Sequence, residues 1–181
     1  MESFISLWNT LMVIGVFVMM AVCLEFAYVL LMPTDTFSRK VSGFVYSNIL
    51  IIGFTLALGA ALSSLVYSDI IGYPPCLFCW YARIFFYPQV VIFGVALWKK
   101  DRSILNYAMA LSGIGLAIST YHYIVESTGY SPLPCAAGGV SCLTRYVYEL
   151  GFITIPLMSL VGFLTLLLAL IIAKRASRIR A

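Results

Sequence analysis

Charged side chains are scarce in this sequence. Lys, Arg, Asp and Glu together make up 10% of the 181 residues, whereas hydrophobic residues make up 62%. Ordinary soluble domains carry about 25% charged residues, so this composition excludes a water-soluble globular protein. Apolar runs of about 20 residues, the length that crosses a bilayer, recur along the chain. We therefore expect an all-α, polytopic membrane protein.

Five apolar runs are long enough to be membrane spans. They cover residues 8–32, 44–67, 80–98, 104–125 and 153–173. No Lys or Arg precedes the first run, and no small-x-small cleavage site follows it. A secretory signal peptide would show both features, so we expect the first run to be a retained membrane span.

Positive charge is rare in one set of connecting segments and concentrated in the other. If the N-terminus is outside, the inner segments hold nine of the eleven Lys and Arg residues: Arg39, Lys40, Lys99, Lys100, Arg102, Lys174, Arg175, Arg178 and Arg180. The outer segments hold Arg83 and Arg145. Cytoplasmic loops are enriched in Lys and Arg, so we predict a cell-membrane protein with its N-terminus outside and its C-terminus in the cytoplasm. The basic residues flank spans and meet membrane lipid, so the net charge of +4 does not indicate a nucleic-acid partner.

Cysteine is also infrequent, but four of the five cysteines form two close pairs. One pair is Cys76 and Cys79, the other is Cys135 and Cys142, and both lie outside the long apolar runs. The predicted orientation places both pairs on the outer face of the membrane, where disulfides persist. Cys23 stands alone inside the first run, where we expect it to be a small apolar packing residue.

The first cysteine pair stands at the start of an apolar helix. Pro75 suits a helix entry, so Cys76 is expected at the mouth of the helix and Cys79 in its first turn. Unpaired N–H groups and the positive end of the helix dipole favour a thiolate there. Arg83 is four residues after Cys79 and on the same helix face, where its charge also favours the thiolate. The pattern predicts a redox-active dithiol.

Two other interpretations of the cysteines compete with the redox one. They could form a purely structural disulfide, or a zinc site to which Cys135 and Cys142 supply two of the four ligands. However, those two are seven residues apart, which exceeds the two-to-four spacing of a zinc knuckle, and a Gly-rich stretch separates them. We therefore expect a redox role and no metal.

The run Cys76-x-x-Cys79-x-Tyr81-x-Arg83 resembles the signature of the DsbB family, in its BdbC-like branch. Three further features of this sequence match in order: Tyr121-His122-Tyr123, Cys135-x6-Cys142 and Phe152-Ile153-Thr154-Ile155-Pro156. The resemblance covers residues 44–173. It implies a DsbB-like four-helix bundle over residues 44–181, with an outer redox loop at 126–152. Residues 1–43 would form an extra N-terminal transmembrane helix and an inner loop, whose role the resemblance leaves open.

The resemblance also implies an activity, that of a protein dithiol:quinone oxidoreductase supporting disulfide bond formation. The electron donor would be a secreted or membrane-anchored thioredoxin-like dithiol protein, and the acceptor a membrane quinone, either ubiquinone or menaquinone. By resemblance, Cys79 would face the quinone and Arg83 would contact its ring oxygen. We expect a partner thiolate to attack Cys135, after which Cys142 attacks Cys76.

His122, the one histidine, allows two interpretations. It lies near the outer end of its span, at a depth similar to that of Cys79, and can donate a hydrogen bond or a proton to a quinone oxygen. Alternatively, it belongs to an interfacial aromatic belt together with its two tyrosine neighbours.

Two other functions remain open from sequence. A vitamin K epoxide reductase-like enzyme uses similar cysteine chemistry on a different helix order. A metal-handling or transport protein would use the four cysteines with His122. Transport predicts several polar or broken helices near the midplane, whereas here the polar chemistry lies at one interface, which counts against it.

Overall fold

A computed structural model describes residues 2–131 and 140–180 of the chain. Within these residues it contains five long helices: α1 (Glu2–Leu31), α2 (Thr36–Leu65), α3 (Leu77–Lys99), α4 (Leu105–Thr128) and α5 (Ile155–Arg180). One π-helical turn, Val66–Ile70, continues α2. All five helices are long and apolar enough to cross a membrane, which confirms the predicted all-α, polytopic class.

The connection between α1 and α2 is shorter than predicted. The sequence analysis assigned a polar inner loop up to residue 43, but α2 already begins at Thr36. Pro33 cannot continue α1, and the Asp35 carboxylate then caps α2 by accepting a hydrogen bond from the Phe37 N–H at 3.3 Å. Arg39 and Lys40, which lie in the segment that was expected to be a loop, do not break a helix, because Arg and Lys are good helix formers.

Helix α5 lies at the centre of the arrangement. It packs against α1, α2 and α4, and α3 packs between α2 and α4. Among the five helices, α5 is the most buried and α1 the least. The main core cluster joins α2, α3 and α5 through fully buried residues such as Ile49, Phe93 and Leu166. The expected arrangement, a bundle of α2–α5 with one additional peripheral helix, is therefore present.

Two glycines of α4 provide a matched pair for testing this packing. A Cβ on Gly115 would run into the ring of Phe163, which stacks on Phe86 with a centroid distance of 3.6 Å. A Cβ on Gly113 would meet nothing within 4 Å. We expect Gly115→Ala to lower the free energy of unfolding by about 1–3 kcal/mol, because overpacking forces neighbours to shift.

Gly113→Ala is the control, and its stability should stay within about 0.5 kcal/mol of wild type. Thermal unfolding in detergent, followed by circular dichroism, measures both variants. Equal losses for the two variants would contradict this account of the α4–α5 contact.

The described part of the connection between α4 and α5, residues 140–154, is tied down at several points. The Arg145 guanidinium donates to the backbone carbonyl of Glu126 at 2.6 Å, and Glu149 pairs with Ile153 in a short antiparallel bridge. The amide of Asn9 on α1 donates to the Glu149 carboxylate at 3.3 Å. These contacts hold the segment that carries Cys142 against α1 and the end of α4.

Candidate active site

The helix start at Pro75 brings the first cysteine pair together. Cys76 is the N-cap of α3, with extended backbone, and Cys79 lies in the first turn, as predicted. The Cys76 thiol donates to the Cys79 sulfur across 3.2 Å. A disulfide needs a sulfur separation of about 2.05 Å, so the two sulfurs need to move only slightly to bond when an oxidant removes two electrons from the pair.

The proton of this pair resides on Cys76. The hydrogen bond to Cys79, together with burial, raises the pKa of the Cys76 thiol to about 12, although His122 opposes the shift. Cys76 therefore stays protonated at neutral pH, and negative charge in the pair belongs on Cys79, the acceptor of the hydrogen bond. The helix start therefore does not favour a thiolate at both cysteines. A negative charge on one sulfur disfavours a second negative charge on the adjacent sulfur.

His122 lies against Cys76. Its Nε2 is 3.6 Å from the Cys76 sulfur, and its ring is 5.4 Å from that of Phe78. Only 6% of the residue is exposed, so the alternative of a partly solvated interfacial histidine does not fit. The sequence analysis placed His122 at the depth of Cys79 but did not predict its contact with the other cysteine.

Arg83 is held by α2 rather than by solvent. Its Nε donates to the Ser64 hydroxyl at 2.9 Å, and an Nη donates to the Ser64 carbonyl at 3.2 Å. The guanidinium also lies 5.1 Å from the Trp80 ring centre. These bonds use two of the five N–H donors of an arginine and fix the direction of its side chain.

A cavity of about 320 Å³ joins these groups. Its wall includes all the predicted site residues within the described chain: Cys76, Cys79, Arg83, His122 and Cys142. Most of the remaining wall is apolar and comes from α1, α2, α3 and α5 and from the segments that precede α3 and α5. Small-molecule sites are typically apolar cavities with a few fixed polar groups, and this cavity has that character.

The second cysteine pair is described in part. Cys142 is 2% exposed and belongs to the same small apolar cluster as Cys76 and Phe78. The segment between α4 and α5 therefore places one loop cysteine at the helix start. Cys135 lies outside the described residues.

Two residues of the site were missed by the sequence analysis. Ser64 was given no role in the site, yet its hydroxyl accepts a hydrogen bond from Arg83, 19 positions away in the sequence. Glu126 was taken as the start of a loop, but it lies on α4 one turn after His122, is 4% exposed, and lines the cavity. Its Oε2 has no hydrogen-bond partner among the described residues. The four-residue spacing from His122 is the one signal that pointed to it.

The sulfurs of Cys76 and Cys79 and a ring nitrogen of His122 lie within 4.8 Å of one another. Thiolates and imidazole are also the ligands that zinc prefers. The geometry alone therefore fits both dithiol chemistry and a soft metal ion.

The sequence comparisons decide the family. The family model described as "Disulfide bond formation protein DsbB" matches residues 46–173. The chain belongs to the DsbB family. Both cysteine pairs, Arg83 and His122 lie inside the matched region, whereas α1 lies outside it. No solved structure matches the chain.

Curated DsbB-family relatives place the chain in the BdbC-like branch. It is 46% identical to the SPbeta prophage-derived disulfide bond formation protein B of Bacillus subtilis over 110 residues, 61% of this chain and 74% of that protein. It is 42% identical to a probable disulfide formation protein of Oceanobacillus iheyensis over 134 residues, 72% of this chain and 92% of that protein. Identity to disulfide bond formation protein C of Bacillus subtilis is 36%, covering 67% and 88% of the two chains.

Disulfide formation proteins of the DsbB family are thiol–disulfide oxidoreductases. This DsbB-family chain is therefore an integral membrane enzyme of disulfide bond formation. Membership also favours this class over the vitamin K epoxide reductase-like alternative.

Proposed function

We propose that the protein oxidises a secreted or membrane-anchored thioredoxin-like dithiol protein and delivers the electrons to a membrane quinone, ubiquinone or menaquinone. The observation that carries the proposal is the shared cavity, because the Cys79 sulfur and the Arg83 guanidinium line one apolar space of about 320 Å³. A cavity with this lining fits a flat apolar ring with polar oxygens.

Arg83 and His122 are the residues that would hold the quinone, through donors to its ring oxygens. The quinone supplies an acceptor for two electrons and two protons. The chain's part is to form the Cys76–Cys79 disulfide, a two-electron oxidation. Because Cys79 carries the negative charge, this step releases one proton, that of the Cys76 thiol, and His122, 3.6 Å from the Cys76 sulfur, is placed to take it. The second proton, which left Cys79 when it ionised, returns from solvent.

The proposed exchange runs from the loop cysteines to the helix pair. A partner thiolate attacks Cys135 of a Cys135–Cys142 disulfide, which leaves Cys142 reduced. Cys142 then attacks Cys76 of a Cys76–Cys79 disulfide, and Cys79 leaves as a thiolate. The common apolar cluster of Cys76, Phe78 and Cys142 supports the second step.

The proposed orientation has the N-terminus outside, the C-terminus in the cytoplasm and both cysteine pairs on the outer face, as the charge distribution predicts. Single cysteines introduced into a cysteine-free background test it. Thr144 and Ser103 are both exposed and lie at opposite ends of α4. A membrane-impermeant maleimide should label Thr144→Cys in intact cells, and Ser103→Cys only after lysis. The reverse pattern would overturn the orientation.

The function is tested with the purified protein in liposomes, without oxygen. A reduced thioredoxin-like dithiol protein should become oxidised only when quinone is present, and one quinone should be reduced for each partner disulfide formed. Partner oxidation at the same rate without quinone would refute the proposed electron acceptor.

The cluster of Cys76, Cys79 and His122 also supports a second candidate, a soft-metal site. Structural zinc normally takes four ligands, so this function requires a fourth ligand in addition to these three residues. Metal analysis of the purified protein separates the two candidates. Stoichiometric zinc that blocks thiol alkylation and persists through turnover would favour the metal function.

A further inference from the structure

Helix α1 has no counterpart in the family match, which begins at residue 46. The helix contributes little to the core, since only Val16, Phe26 and Val29 are buried. It nevertheless forms part of the wall of the active-site cavity, through Met12, Gly15, Val16 and Met19. This chain therefore builds its site with an element that the matched region does not include.

Helix α2 also lines the cavity, and there the cavity reaches the exposed surface of the helix bundle. Thr55 and Gly59 both line the cavity and are both exposed. A Cβ placed on Gly59 of α2, or on Gly15 of α1, would meet no atom within 4 Å. Both glycines line the cavity, so each has open space beside it at the cavity wall.

The packing of α1 explains why this opening exists. The helix packs mainly on α5 and less on α2, with Val16 in a cluster with Leu157 and Val161 of α5. At its outer end, Asn9 accepts a hydrogen bond from the Tyr67 hydroxyl at 3.1 Å and donates one to Glu149. Helix α1 is therefore fixed on α5 and at one end, while its contact with α2 is smaller.

We propose that the opening between α1 and α2 is a lateral portal, bordered by Gly15 and Gly59, through which an isoprenoid quinone enters from the bilayer. The ring lies in the cavity near Arg83, and the isoprenoid chain lies in the portal. Helix α1 thereby selects for the side chain of the quinone. This inference rests on the quinone dependence proposed above.

The dimensions of the cavity support the portal. A volume of about 320 Å³ lies at the lower end of the range for small-molecule sites, so it holds a ring but not a long isoprenoid chain. The chain must leave the cavity, and hydrocarbon is the solvent that accepts it without exposing apolar surface to water. An exit between two transmembrane helices meets both conditions.

The test fills the portal from either side. Gly15→Leu and Gly59→Leu each place a side chain in open space. Gly113→Leu is the matched control, because Gly113 also lies in a membrane helix and also has open space at its Cβ. Unlike the other two glycines, Gly113 does not line the cavity. Each protein is assayed with two quinones that share a ring, one with a long isoprenoid chain and one with none. The portal variants should raise KM for the long-chain quinone about tenfold or more, the scale of a steric mismatch in an apolar site.

The chain-free quinone serves as the internal control for folding, and its KM should change less than about twofold in the same variants. Gly15→Ala and Gly59→Ala should shift the long-chain KM in the same direction by less. Unchanged long-chain kinetics in the Leu variants, with an active wild type, would overturn the portal alone, and so would an equal loss with both quinones. A wild type that reduces neither quinone would overturn the proposed function and the portal with it.

Discussion

Replacing Cys79 by Ser is expected to abolish quinone-dependent turnover and to leave the protein with a Cys76–Cys142 disulfide. Without the Cys79 sulfur, Cys76 cannot form a disulfide within the helix start. Its thiolate instead attacks Cys142 of a Cys135–Cys142 disulfide, Cys135 leaves as a thiolate, and no Cys79 thiolate is present to reopen the new bond. The resulting bond joins two residues that already share an apolar cluster. The expected loss of turnover is complete within the detection limit, because disulfide exchange has no alternative sulfur at this position.

Mass spectrometry of the digested protein detects the trapped bond, and quinone absorbance measures turnover. Cys23→Ser is the matched control, since Cys23 contacts Thr165 at 3.1 Å and does not line the cavity, so this variant should turn over like wild type. A Cys76–Cys135 bond in the Cys79→Ser protein would mean that the two loop cysteines act in the opposite order.

Replacing Arg83 is expected to weaken the use of quinone without impairing exchange among the cysteines. Arg83→Ala removes a charged donor from the cavity wall, and a hydrogen bond to a charged group contributes about 1.5–3 kcal/mol. We therefore expect KM for quinone to rise about 10- to 100-fold. Arg83→Lys keeps the charge but loses the planar fork of donors, so its KM should lie between those of wild type and Arg83→Ala.

Arg102→Ala is the control for removing an arginine as such. Arg102 also lies over an aromatic ring, Tyr46 at 4.2 Å, and also donates to a backbone carbonyl of α2, that of Ser47 at 3.3 Å. It does not line the cavity, so its KM should match wild type. Normal quinone kinetics in both Arg83 variants would show that Arg83 only anchors α3 to Ser64.

Local features of the sequence were sufficient to predict the helix start that carries the site. Pro75 and the cysteine spacing place Cys76 and Cys79 in one turn, and helical periodicity places Arg83 on their face, because these relations depend on residues only a few positions apart. The apolar runs predicted the five helices for the same reason. The start of α2 was misplaced by eight residues, because polarity marks where a span leaves the membrane and not where its helix begins.

The contacts across helices could not be predicted from such local rules. His122 meets Cys76 over 46 positions, and Ser64 meets Arg83 over 19, distances at which periodicity carries no information. The cavity depends on how far α1 and α2 stand apart, which follows from the packing of α1 on α5. For this reason the first helix had no assignable role in the sequence, although in the structure it forms a wall of the site.

The central claim is that quinone oxidises the Cys76–Cys79 dithiol directly. The most direct measurement is a single turnover without oxygen or partner protein, in a variant with Cys135 and Cys142 replaced by Ser, so that only this pair can be oxidised. Quinone absorbance follows reduction, and mass spectrometry maps the disulfide. We expect one quinone reduced for each Cys76–Cys79 disulfide formed. Quinone that stays oxidised while the two thiols remain reduced would contradict the account.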